Sequence, residues 1–203
     1  ELAKQFPSEV GPRAMMLEAA SMSSDEKLKK KTITELAALK DEKFARITDR
    51  AKSELKKMNA LGNPVPIKFT SVNGRKVDVS KMKGKVVLID FWATWCGPCV
   101  AEIPNVKKTY AKLHKKGFEI IGISLDSKED KLTEFVAEKG MPWPQHFDGK
   151  GWSNAIAKEF GIRSIPAMWL VDKQGNLVDK NARRGLEAKV EKLLEAKVDG
   201  TAK

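Results

Sequence analysis

Val87-Leu88-Ile89-Asp90-Phe91-Trp92-Ala93-Thr94-Trp95-Cys96-Gly97-Pro98-Cys99 is the stretch on which the reading turns. It opens inside a strand-length apolar run, Lys85 to Phe91, the pattern of a strand buried on both faces. It ends with two cysteines three residues apart, at the start of a helix expected from about Cys96 to His114. Such a pair can close a small disulfide ring or coordinate a metal. The first cysteine would face the unpaired N–H groups and positive dipole end of the helix, which favour thiolate over thiol. The second would lie one turn in and be more shielded. That asymmetry suits two-step exchange, in which Cys96 attacks a substrate disulfide and Cys99 resolves the mixed disulfide. Pro98 fits the first turn, where its missing N–H costs nothing.

Two other readings of the pair are poorer. A zinc site would need two more ligands, and the histidines stand in a C-x2-C-x14-H-x31-H pattern without the close second pair of structural zinc sites. A purely structural disulfide would close too short a ring to remove much unfolded-chain entropy. No metal is therefore expected.

Working outward, Asn73-Gly74 between Ile67–Val72 and Lys76–Val79 signals a hairpin, through the positive backbone angles that a tight Asn-Gly turn takes. Beyond the cysteines, the pattern predicts a strand at Phe118–Ser124, a helix at Glu129–Glu138 and an extended piece around Trp143–Phe147. A helix at Ser153–Phe160, strands at Ala167–Asp172 and Leu177–Asp179, and a last helix at Leu186–Ala196 follow. Strands alternating with amphipathic helices, then a hairpin and a helix, read as an α/β sandwich with a central mixed sheet.

Residues 1–62 read differently, as a helical N-terminal extension before a domain at 63–203. Gly11-Pro12 is expected to break the chain early, and Ser24-Asp25-Glu26 to start a helix. Ile33, Leu36, Ala37, Phe44, Ile47, Ala51, Leu55 and Met58 recur at helical spacing, so a helix or helical hairpin has one face to bury. That face could pack on the following domain, dock a partner or form a dimer. Gly62-Asn63-Pro64-Val65-Pro66 marks the boundary.

Composition excludes several classes. Of 203 residues, 41% are hydrophobic, enough for a core, and two cysteines are too few for a disulfide-stapled miniprotein. No apolar run approaches the ~18 residues of a membrane-spanning helix. The net charge of +11 is spread along the chain, and Lys29-Lys30-Lys31 has no interleaved aromatic side chains for base stacking, so nucleic-acid binding is not expected. The chain starts at Glu1 with no initiator Met or leader pattern, so a processed or trimmed product is expected.

The cysteine stretch resembles the active-site strand, turn and helix of the thioredoxin superfamily. Gly161-Ile162-Arg163-Ser164-Ile165-Pro166-Ala167 is similar to the loop where that family places a cis-proline beside its cysteines. The likeness covers roughly residues 64–196. Within the superfamily it is closer to TlpA/ResA-type thiol–disulfide proteins, on the entry hairpin, the phrase Cys99-Val100-Ala101-Glu102-Ile103-Pro104, and the extra helix and strand at about Glu129–Phe147. Peroxiredoxins share the layout, but their P-x-x-x-T-x-x-C motif is missing. The resemblance implies a thioredoxin-like sandwich with an N-terminal β-hairpin and an inserted helix and strand.

It also implies roles. Asp90, six residues before Cys96, takes the place of a buried carboxylate that exchanges protons with the resolving cysteine. Glu102, three after Cys99, takes that of a catalytic-site glutamate facing the pair. Members of the group more often carry Asn at the strand position, so the proton role stays open between the two. Pro166 in cis would present the Ile165 backbone to a substrate and keep metal from the dithiol. Trp95, Gly97 and Pro98 would meet the substrate, and Trp92 and Trp95 would shape the apolar surface around Cys96. Trp152 is expected to pack, and Pro104 to kink the helix. The implied function is thiol–disulfide exchange with protein substrates, most simply as a disulfide reductase with Cys96–Cys99 as the redox group and no further cofactor. An unidentified electron donor and an extracytoplasmic, periplasm-like location go with it. Alternatives are a thiol peroxidase of the AhpC/TSA type, or a binding module docking a partner through its N-terminal helices.

Overall fold

The computed structural model describes residues 8–196, which divide into two compact units, 8–59 with Glu159–Gly161, and Ala60–Lys158 with the chain from Ile162 onward. The first unit holds three helices: α1 (Val10–Met22), α2 (Glu26–Ala37) and, after a 3-10 turn at Glu42–Phe44, α3 (Ala45–Ala60). Asp25 caps α2 by accepting from the N–H groups of Lys27 and Leu28 (3.0 and 2.9 Å), as its place before an acidic first turn implies. The predicted apolar stripe is distributed over α2, the turn and α3. Its buried members Ile33, Leu36, Phe44, Ile47 and Ala51 join Leu17 and Ala20 of α1 in one cluster, with Leu55 and Met58 at its margin. Helix α1 corrects the expectation of an early break. Gly11 and Pro12 lie in its first turn, where proline's missing N–H has no intrahelical partner to lose.

The second unit opens with a hairpin of β1 (Lys68–Thr70) and β2 (Lys76–Asp78), paired antiparallel from Lys68↔Asp78 to Thr70↔Lys76. Its loop is longer than a two-residue Asn-Gly turn. Ser71 and Arg75 close it (Ser71 N–H to Arg75 O, 2.9 Å), and only Gly74, not Asn73, takes a positive φ, at 81°. The Ser71 hydroxyl accepts from the Arg75 N–H at 3.0 Å and so fixes the wider loop.

The main sheet runs β5-β4-β3-β6-β7. Its centre is β3 (Val86–Trp92) beside β4 (Phe118–Ser124), parallel and buried along their whole length. Edge strand β5 (Gln145–His146) is parallel to β4, while β6 (Ala167–Val171) is antiparallel to β3 and β7 (Leu177–Asp179) antiparallel to β6, making the sheet mixed. The expected helix from Cys96 to His114 is two helices, α4 (Gly97–Val100) and α5 (Ile103–Leu113). Pro104 has no N–H to offer Val100 and its ring would crowd that carbonyl, so the chain breaks at Ala101–Glu102 rather than kinking. The inserted α6 (Glu129–Glu138) precedes β5. A 3-10 turn at Gly151–Ser153 leads to α7 (Ala155–Glu159), and α8 (Leu186–Glu195) follows β7. Helices α5 and α8 pack together, with Lys112 bridging Glu187 and Glu191 at 2.6 and 2.8 Å. Among the described residues no helix is long and apolar enough to cross a membrane.

Candidate active site

Strand β3 delivers the chain at Trp92 to a turn, Ala93–Trp95, and the turn delivers Cys96 to the N-cap of α4. Cys96 and Cys99 are joined by a disulfide, with Cα atoms 5.2 Å apart. The Cys96 sulfur accepts from the Cys99 N–H at 3.3 Å, so the first thiol sits where a helix offers unpaired donors. As a disulfide the two are nearly equally covered, 6% and 4% exposed, so the expected shielding of Cys99 alone is not a property of the oxidised pair. Gly97 and Pro98 between them are exposed.

The turn is clamped from β4. Asp126 is buried, and its carboxylate accepts from the Thr94 N–H (3.2 and 3.1 Å), the Thr94 hydroxyl (2.6 Å) and the Ser124 hydroxyl (2.7 Å). Asp126 was not singled out by sequence. It lies 32 positions from Thr94, and Asp-Ser after a strand reads as an ordinary turn.

Asp90 lies two residues before Trp92 on the same face of β3. Its side chain is 9% exposed, and its Oδ1 is buried with no hydrogen-bond partner. Desolvation, with a further push from the negative charge of Glu102, raises its carboxyl from 3.8 to about 7. Glu102 stands at the break between α4 and α5, partly buried. Its carboxylate is engaged by Arg183 Nε (3.0 Å) and Asn105 Nδ2 (2.7 Å). The two carboxylates thus differ in kind: Asp90 has neither cation nor donor at Oδ1, while Glu102 is held by an arginine 81 positions away.

The Ile165–Pro166 bond is cis. Ala167, next along, pairs with Phe91, so Pro166 lies alongside the end of β3 from which the cysteine turn departs. The two tryptophans expected to shape the apolar surface around Cys96 part company. Trp95 is 55% exposed, whereas Trp92 is core, its Nε1 donating to Gln145 Oε1 at 2.9 Å and its ring 5.8 Å from that of Phe135 on α6. The Gln145 carboxamide overlies Gly122, where a Cβ would come within 1.9 Å of its oxygen. Trp152, expected to pack, is 48% exposed and has its ring centroid 6.1 Å from that of Trp95. A tryptophan in the polar, glycine-rich turn Asp148-Gly149-Lys150-Gly151 was the available signal for a surface role. The histidines are engaged separately, His114 with the Phe118 carbonyl (3.1 Å) and His146 with Asn154 (3.2 Å) and the Phe69 ring.

This arrangement is a disulfide-bonded cysteine pair on a hydrogen-bonded turn, with a buried carboxyl on the strand that leads into it. Comparison with known proteins agrees. Residues 60–194 match the Redoxin family. The chain is 35% identical over 111 residues to a protein named thiol-disulfide oxidoreductase ResA from Bacillus thuringiensis (strain Al Hakam), covering 55% of this chain and 62% of that one. A ResA of Halalkalibacterium halodurans is 30% identical over 124 residues, covering 61% and 69%. The chain therefore spans rather less than two thirds of the first relative. The thioredoxin domain of a thiol-disulfide oxidoreductase from Bacteroides vulgatus superposes with a TM-score of 0.58 at 32% identity, over 66% of this chain and 98% of that domain. With the fold, the order of motifs and these likenesses in agreement, the chain belongs to the Redoxin family, as a TlpA/ResA-like member of the thioredoxin superfamily.

Proposed function

We propose that the protein is a thiol–disulfide oxidoreductase that works on other proteins in the reducing direction. The observation that carries this reading is the Cys96–Cys99 disulfide at a helix N-terminus, following a strand that holds a buried carboxyl with an unpartnered oxygen. In the reduced protein the Cys96 thiolate, favoured by the helix end, attacks one sulfur of a substrate disulfide. A Cys96–substrate bond forms, and the other substrate sulfur leaves as a thiolate that takes a proton from water. Cys99 then gives its proton to the Asp90 carboxylate and attacks Cys96, and the second substrate sulfur leaves as a thiolate that takes that proton back from Asp90 to become a thiol. The substrate disulfide gains two electrons and the pair returns to the oxidised form. An acid near pH 7 can both take and return that proton at neutral pH, which favours Asp90 over the arginine-bound Glu102 as the proton carrier.

Trp95, Gly97 and Pro98 are the exposed residues beside the sulfurs, and with the Ile165–Pro166 backbone they frame a site for an extended substrate segment. The Gly-Pro dipeptide, that of thioredoxin, supports the reducing direction. The two electrons travel on the cysteine pair, so the reading calls for no organic cofactor or metal. It does call for a dithiol electron donor to regenerate the reduced form, and the ResA likeness supports a place outside the cytoplasm.

The test is the equilibrium reduction potential of the pair, read through tryptophan emission in thiol buffers. A value near about −270 mV supports a reductase, and one near about −120 mV overturns that direction in favour of thiol oxidation. Cys96→Ser is expected to abolish turnover, and Cys99→Ser to accumulate a mixed disulfide visible by mass spectrometry. Full activity in Cys96→Ser would refute the mechanism.

A further inference from the structure

Two of the protein's five tryptophans stand half out of solvent side by side at the redox site, on loops that have been built to hold them there. Exposed indoles are costly to maintain unless something covers them, and a tryptophan face is a common anchor at recognition surfaces. Trp95 directly precedes Cys96, and its turn is fixed by Asp126 through Thr94. Trp152 comes from the 3-10 turn after β5, and that turn is fixed as firmly. Asp148 accepts from the N–H groups of Lys150 (3.0 Å) and Ala155 (2.9 Å). Asn154, fully buried, donates to the Ser124 carbonyl (3.2 Å) and accepts from the Ala157 N–H (3.0 Å). Both loops are thereby tied to one point at the end of β4: Asp126 bonds the Ser124 hydroxyl, and Asn154 bonds its carbonyl. The ring centroids are 6.1 Å apart with planes inclined at 56°. This is a shallow V of two indoles rather than a stacked, self-satisfied pair.

We infer that Trp152 and Trp95 form a two-indole platform that selects substrates carrying a large apolar side chain next to the reacting cysteine. The inference rests on the proposed exchange function and deepens it by naming the substrate class. The occupant follows from the chemistry. A substrate sulfur must reach Cys96 for the attack, and the residue adjoining that cysteine then passes the indole that adjoins Cys96. An aliphatic or aromatic side chain there covers both rings, while a small polar one leaves them wet. Trp152 is on this view a specificity-determining residue that takes no part in moving protons or electrons.

The experiment uses the full chain, reduced, with two synthetic disulfide peptides identical except that each cysteine is flanked by Leu in one and by Ser in the other. Oxidation of the Cys96–Cys99 dithiol with release of two peptide thiols is followed for each, and the readout is the ratio of kcat/KM values. That ratio cancels any general loss of folded protein. The expected ratio is about fivefold or more in favour of Leu. It should fall towards one in Trp152→Ala through a raised KM for the Leu peptide, and be retained in Trp152→Phe. A ratio near one in the unaltered protein, or an undiminished ratio in Trp152→Ala, overturns the inference while leaving the exchange function standing. Failure of the unaltered protein to react with either peptide or with a small aliphatic disulfide overturns the exchange function, and this inference with it.

Discussion

Replacing Asp90 with Asn should make the oxidised protein more stable, by an amount that depends on pH. The carboxyl is buried, and its Oδ1 has no hydrogen-bond partner. In the folded state it titrates at about 7 instead of 3.8, first because of desolvation and second because of Glu102. A raised acid destabilises the fold only where the unfolded chain would ionise. Below about pH 4 both states hold the proton and the cost is absent. It grows as pH rises through the interval and is complete above about pH 7. At roughly 1.4 kcal/mol per pH unit, the full cost is about 4 kcal/mol. Asn has the same shape and no charge, so Asp90→Asn should gain up to about 4 kcal/mol at pH 8, about 1 to 2 kcal/mol at pH 5, and close to nothing at pH 4. Urea unfolding of oxidised protein at the three pH values measures this directly. A gain of equal size at all three, or none at pH 8, would refute the assignment of Asp90 as a carboxyl forced to carry its charge in a dry site.

Three other substitutions test neighbouring links. Glu102→Gln removes one of the two causes that raise Asp90, so the Asp90 midpoint, followed by carboxyl NMR, should fall below its present value; an unchanged midpoint would show that Glu102 exerts no field there. Asp126→Ala strips Thr94 and Ser124 of their shared acceptor and should cost about 2 to 3 kcal/mol in urea unfolding, with faster amide exchange at Thr94. Amide protection at Thr94 equal to that of the unaltered protein would refute the clamp. Gly122→Ala places a methyl on the Gln145 carboxamide and should cost about 1 to 3 kcal/mol. The gap was free space if that variant unfolds at the same urea concentration as the original.

What the sequence made legible was local. The apolar run of β3, the cysteine pair at a helix start and the alternation of strands and helices each lie within a few residues, and period and spacing report them directly. The hairpin was legible as a hairpin but not in its loop, because the Ser71 hydroxyl competes for the backbone that a two-residue turn would have used. The break at Glu102 was a matter of degree, since a proline four residues after Val100 can bend a helix or end it. The partners that give the site its character could not be read locally. Arg183 meets Glu102 across 81 positions, and Gln145 meets Trp92 across 53. Nothing in the spacing of either residue records that meeting. Trp92 and Trp95 look alike in sequence, yet the sheet's alternation sends the first beneath α6 while the turn lifts the second into solvent.

The Gln145 carboxamide resting over Gly122 also bears on how this chain could be shortened. The segment from α6 to β5 looks like an ornament on a smaller thioredoxin-like frame, the sort of insertion a designer would trim first. Here it supplies the acceptor for the Trp92 indole and a tilted ring 5.8 Å from it, at the last residue before the cysteine turn. Cutting it away would strand a buried donor at the end of the strand that leads into the cysteine turn. A minimal version of this fold therefore has to be redesigned from Trp92 outward: the insertion has become part of the floor on which the cysteine turn stands.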